Sequence, residues 1–153
     1  MLFRNLLGEE KIWGTDLFPK LRDERGKSYA APNGVEVPGV IKCDFSDFHE
    51  RWSRRFAFVY SNSLDHARDA ETCLQVWLDQ LRDGGLLFIQ WSRSHATVQS
   101  GDCFGGGLDD YLWMLNHYGK VVELLFHNVK SPTITFAVSR RPKKLKGSWK
   151  VPY

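Results

Sequence analysis

Two short apolar runs, Phe56 to Ser61 and Leu86 to Trp91, flank a stretch whose apolar residues recur at helical spacing. Between Ala70 and Arg82, the residues Ala70, Cys73, Leu74, Trp77, Leu78 and Leu81 fall at i, i+3, i+4, i+7, i+8 and i+11, one continuous stripe. Asp69 stands where an N-cap accepts hydrogen bonds from the free amides of a first helical turn. Gly84 and Gly85 supply the expected stop, because glycine takes the left-handed conformation without a steric cost. A strand, a helix and a strand in that order impose an α/β plan with a mostly parallel sheet.

The rest of the chain continues the alternation. Lys11 to Thr15 is a short strand ended by Asp16, and Val40 to Cys43 is a second running into Asp44. Between them, Pro19 to Ala31 is charged and poorly periodic, and Pro32, Asn33, Gly34, Pro38 and Gly39 mark a loop. The unbroken apolar run FAFVYS suits a strand covered on both faces. Leu108 to Tyr118 is helical, with Leu108, Tyr111, Leu112 and Leu115 on one side and Gly119 as its stop. Val121 to His127 and Thr133 to Ser139 are strands joined by a polar loop holding Pro132. With no helix between them, they must be antiparallel if they pair.

Composition excludes several classes. At 153 residues, 42% of them hydrophobic, the chain has one domain's length and enough apolar surface to bury, which rules out a disordered or low-complexity protein. Its apolar runs fall far short of the roughly 18–20 residues of a membrane span. Met1 to Gly8 is too short for a signal segment, with Glu9 and Glu10 directly after it. Cys43, Cys73 and Cys103, widely spaced and odd in number, point to reduced thiols and a cytoplasmic setting. The net charge of +3 is local in origin. Six of the 21 basic residues lie from Arg140 to Tyr153, where there is no acidic one, so residues 1–139 are mildly acidic and residues 140–153 form a basic tail.

In an open α/β sheet, ligands bind at the carboxyl ends of the strands. Asp16, Asp44, the Ser61-Asn62-Ser63 run and Trp91-Ser92 follow four consecutive strands. Any one of them would serve equally as a turn or cap residue. Together they suit a ligand: a carboxylate accepts from both hydroxyls of a ribose, and a second, followed by Phe45, accepts from an adenine amino group beside an apolar surface.

These segments, Gly14-Thr15-Asp16-Leu17, Cys43-Asp44-Phe45, FAFVYSNSLDHARD and LRDGGLLFIQWS, resemble the class I S-adenosylmethionine-dependent methyltransferases, of type 11-like character, over about Leu6 to Ser139. The resemblance implies a Rossmann-like fold, with S-adenosylmethionine as cofactor and an unidentified methyl acceptor. It implies Asp16 on the ribose, Asp44 and Phe45 on the adenine, and Ser61 and Asn62 on the floor near the reacting methyl group. It also exposes a departure. Such proteins open with a strand and a glycine-rich loop against the methionine part of the cofactor, and nothing before Lys11 matches these. Phe3 to Leu7 reads as the last turns of a first helix, and Gly8 stands alone. The chain is therefore expected to lack the central strand. The exposed sheet edges predict self-association.

Other residues carry rival readings. His49, His66, His95, Asp102 and Cys103 are potential ligands or acid–base groups, but no HxxxH, HExxH or paired-cysteine spacing supports a metal, and none is expected. His66 and His95 follow strands and are the candidate catalytic residues, though methyl transfer needs mainly positioning. Each serves equally as a solvent-facing or structural histidine. A small hydrolase using either lacks a GxSxG elbow. The segment Gly101 to Gly107 lacks the GK[ST] ending of a phosphate-binding loop and reads as a flexible lid. Trp13, Trp77 and Trp91 are expected in the core. The basic tail, with Trp149 and Tyr153, is a solubilising end or a weak nucleic-acid contact. The alternative to an enzyme is a non-catalytic remnant that binds a partner chain or nucleic acid.

Overall fold

The computed structural model describes residues 14–16, 20–22, 28–30, 39–98, 103–126 and 133–141. They belong to two compact units, Met1–Asp47 and Phe48–Tyr153, each taken by itself below. Outside the described residues lie Phe3 to Leu7, Gly8, Lys11 to Trp13, the loop from Pro32 to Pro38, Asp102, His127, Pro132 and the tail beyond Arg141.

In the first unit, β1 (Gly14–Asp16) and β4 (Val40–Lys42) pair in parallel, Gly14 with Val40 and Asp16 with Lys42. Between them in sequence, β2 (Lys20–Arg22) and β3 (Ser28–Ala30) form an antiparallel pair. This corrects the irregular reading of Pro19 to Ala31. Segments this short and charged carry no alternation of apolar residues to announce a hairpin.

The second unit holds a four-stranded sheet in the order β5-β6-β8-β7. Its strands are β5 (Phe56–Ser61), β6 (Leu81–Ser92), β7 (Gly119–Phe126) and β8 (Thr133–Arg140). Strand β5 runs parallel to β6, with Phe58 opposite Leu86 and Ser61 opposite Ile89. The chain's last strand enters between β6 and β7 and is antiparallel to both. The sheet is thus mixed rather than mostly parallel. Because β8 follows β7 directly, it returns antiparallel to it, and lying beside β6 as well makes that pairing antiparallel too. As the inner strands, β6 and β8 carry the core: Leu87, Ile89 and Trp91 on one, Ile134, Phe136 and Val138 on the other. Ala57 and Tyr60 of β5 are exposed, so this strand is not covered on both faces.

Helix α1 (Ala70–Gln80) lies where the stripe placed it, with Ala70, Cys73, Leu74, Trp77 and Leu78 buried. It packs on β5, β6, β8 and the second helix, α2 (Leu108–Tyr118). At its start Asp69 accepts from the Thr72 amide at 3.0 Å and from the Thr72 hydroxyl at 2.7 Å. The end differs from the sequence expectation. The helix stops at Gln80 and the next strand begins at Leu81. The stop comes from elsewhere in the chain, because the amides of Arg54 and Arg55 take the Asp79 and Gln80 carbonyls, each at 2.9 Å. Arg54 adopts a left-handed backbone, φ 57°, to present them. Gly84 and Gly85 sit inside β6 instead. Gly84 has φ +73°, and a Cβ on Gly85 would stand 2.9 Å from the Phe56 carbonyl, at the irregular step of the β5–β6 register.

Helix α2 buries Tyr111, Met114 and Leu115, while Leu108 and Leu112 are only half-buried. Asp110 reaches back to the Gly107 amide at 2.8 Å. The helix ends at Gly119, as the sequence predicts, but with an ordinary φ of −125°. The glycine is there for space: a Cβ would lie 2.6 Å from Val138 Cγ1 and 3.0 Å from the Ser139 carbonyl. The side chain of Arg141 donates to the carbonyls of Gly119 and Asn116 at this helix end. Arg140 meets Asp83 at 2.6 Å, so the first two cations counted with the tail are part of this unit's fold.

Candidate functional site

The parallel pair β5–β6 brings the carboxyl ends of two strands to one edge, because Ser61 and Ile89 lie opposite each other. After β5, the Ser61 hydroxyl accepts from the Ser63 amide at 3.1 Å, and Asn62 Oδ1 accepts from the Ser63 hydroxyl at 3.0 Å. The chain then makes a single 3-10 turn, Leu64–His66, held by the His66 amide on the Ser63 carbonyl at 3.2 Å and the Ala67 amide on the Leu64 carbonyl at 3.1 Å, which buries Leu64 and Asp65 and leaves His66 exposed. After β6, a second 3-10 turn, Arg93–Ala96, carries His95.

The segment from Cys103 to Gly107 closes over both turns. The amides of Cys103 and Phe104 donate to the Asp65 carbonyl, each at 2.9 Å, and the Gly106 amide donates to the His95 carbonyl at 3.0 Å. The indole Nε1–H of buried Trp91 donates to the Gly106 carbonyl at 3.1 Å. A Cβ on Gly105 would stand 2.6 Å from the Val98 amide nitrogen, so the segment needs glycine for close packing. The amides of Cys103, Phe104 and Gly106 are thus spent on protein carbonyls, and that of Gly107 on the Asp110 carboxylate, rather than offered to a phosphate.

Beneath it, Asp65 Oδ2 lies 3.9 Å from His95 Nε2, with the two side chains 5% and 15% exposed. Asp65 Oδ1 and His95 Nδ1 are buried and have no hydrogen-bond partner among the described residues. The structure thus brings His95 together with a carboxylate and places His66 on the outside of the same turn. Nothing in the sequence singles out Asp65. Burial is what distinguishes it, and one helical turn is too short for a periodic signal. Beside the covering segment opens a cleft of about 510 Å³, lined by Arg68, Glu71, Cys103, Phe104 and Trp113 among others. That volume is in the range of small-molecule pockets.

In the first unit, the register puts Asp16 at the carboxyl end of β1, opposite Lys42, and Asp44 lies just past the same end of β4. Asp44 Oδ1 accepts from the Ser46 amide at 2.8 Å, and Asp44 and Phe45 are half-buried. Among the described residues no three His, Cys, Asp or Glu side chains gather to hold a metal ion. No helix among them is long and apolar enough to cross a membrane. None of Cys43, Cys73 and Cys103 is joined in a disulfide.

No family model matches the chain, and no curated protein does. Among solved structures, the CMeT domain of the citrinin polyketide synthase matches with a TM-score of 0.51 and 11% sequence identity. The match covers 67% of this chain and 32% of that one, so the chain spans about a third of its length. The chain shares with that domain an open Rossmann-like α/β fold. At that identity the likeness speaks for the fold alone.

Proposed function

We propose that the chain is a methyltransferase-like domain that binds S-adenosylmethionine and serves methyl transfer to an unidentified acceptor. The observation that carries this reading is that each unit, taken by itself, has polar residues at the carboxyl ends of a parallel strand pair, in a chain whose fold is like that of a CMeT domain. The donor set suits the cofactor. Asp16 is assigned to the ribose hydroxyls and Asp44, through the oxygen not spent on Ser46, to the adenine amino group, with Phe45 beside the ring. Ser61 and Asn62 line the floor of the second unit's strand ends. When bound, the cofactor supplies an electrophilic methyl group. The chain's part is to orient the acceptor and keep water out, which for a transfer of this kind provides most of the acceleration. His95 and His66 are the candidate proton acceptors, His95 under cover and His66 at the surface.

Calorimetry with S-adenosylhomocysteine tests the reading. The wild-type chain is expected to bind in the micromolar range, about −8 kcal/mol, and Asp16→Ala to lose roughly tenfold or more, the loss of about one charge-assisted hydrogen bond. Absence of heat with the wild type at concentrations well above micromolar overturns it, as does unchanged affinity in Asp16→Ala.

A further inference from the structure

Asp65 and His95 come from turns that follow adjacent parallel strands, and the same covering segment hydrogen-bonds to the backbone carbonyl of each. Their side chains are thereby held face to face with little water. The carboxylate is 5% exposed, its Oδ2 is 3.9 Å from Nε2, and neither Oδ1 nor Nδ1 has a hydrogen-bond partner among the described residues. Buried polar atoms are nearly always satisfied by protein or ordered water, so two such atoms side by side are unspent hydrogen-bonding capacity in one place.

A neutral imidazole carries one N–H and one lone pair, and its surroundings decide which nitrogen has which. Nε2 faces an anion in a poorly solvated spot. There the N–H dipole is stabilised and a lone pair would be repelled. We infer that Asp65 is a positioning residue for His95, holding the proton on Nε2 and leaving Nδ1 as the free lone pair of the site. The group that completes the arrangement is a hydroxyl or amine, which donates to Nδ1. If its O–H or N–H bond breaks, the proton passes to Nδ1 and the resulting imidazolium faces the Asp65 carboxylate. The use of that lone pair on a methyl acceptor rests on the function proposed above, whereas the tautomer does not. His66, the residue after Asp65, is exposed.

The test is nitrogen-15 NMR of the imidazole rings in labelled wild-type protein and in Asp65→Asn, at about pH 8, where an ordinary histidine is neutral. The His95 signals are assigned by their loss in His95→Gln. In the wild type, Nε2 is expected at the shift of a protonated, pyrrole-type nitrogen and Nδ1 at that of an unprotonated, pyridine-type one. In Asp65→Asn the two shifts should move toward the averaged values of exchanging tautomers. Averaged shifts in the wild type, a proton on Nδ1, or a pattern unchanged by Asp65→Asn would each overturn the assignment. The wild-type spectrum decides by itself if the variant does not fold. A fixed Nε2–H tautomer in a protein that gives no heat with S-adenosylhomocysteine would keep this inference and overturn the cofactor reading.

Discussion

Gly119 shows how a residue can be read correctly for the wrong reason. Its place after Leu108 to Tyr118 marks a helix end in the sequence, yet its backbone is one that other residues adopt. What excludes a side chain is β8, whose Val138 and Ser139 approach to 2.6 and 3.0 Å of a would-be Cβ. Gly119→Ala should therefore destabilise the protein by about 1–3 kcal/mol through overpacking. The measurement is a lower urea midpoint at unchanged slope. A midpoint equal to the wild type would show that β8 yields without strain. Asp65 is the opposite case, where composition and spacing carry no mark. A carboxylate beside a histidine in sequence is ordinary, and only the closure of residues 103–107 makes this one dry.

At the scale of elements, α1 was legible from its start and its stripe, because both are local. Leu74 is fully buried, and Leu74→Ala should cost about 2–5 kcal/mol by chemical denaturation. The cap has a pH signature. Hydrogen bonds from the Thr72 amide and then its hydroxyl hold the Asp69 carboxyl below its ordinary 3.8. A depressed folded value means that the cap's contribution is fully present above the ordinary value. It is lost as pH falls through the folded one. Asp69→Ala should lower the Tm by a few degrees near neutral pH. That difference should shrink as pH drops below 3.8. A difference that stayed constant into acid would mean that the carboxylate's charge plays no part. At this same end of α1, the Tyr118 hydroxyl donates to the Glu71 carboxylate, tying the end of α2 to the start of α1 and raising the tyrosine above 10.0. This tie is present below the ordinary tyrosine value and is lost as pH rises through the folded one. The end of α1 was misread because its carbonyls are taken by Arg54 and Arg55, from before β5. No window of sequence around Gln80 contains them.

For the whole molecule, the large buried side chains among the described residues, from Leu64 to Val138, all belong to the second unit. Residues 48–153 expressed alone should therefore unfold cooperatively in urea, with a sigmoidal transition common to circular dichroism and tryptophan fluorescence. A fragment without a cooperative transition would show that residues 1–47 are needed to form the core. Cofactor affinity is expected to need the first unit, since Asp16 and Asp44 lie in it. The fragment should give no heat with S-adenosylhomocysteine where the full chain does.

What the sequence determined by itself was the order of elements and which residues stand at strand ends. Periodicity and turn chemistry act within a few residues, so the stripe of α1, the runs at Phe56 and Leu86, and the polar residues after them are written locally. The antiparallel relation of β7 and β8 was also legible, because no crossover helix separates them. Tertiary structure alone decided that β8 enters between β6 and β7, and that the Gly84-Gly85 pair serves a strand rather than a helix end. It also selected His95, rather than His66, to meet a buried carboxylate. Each of these depends on which distant segments share backbone hydrogen bonds and exclude water together, and burial of that kind has no counterpart in any short stretch of chain.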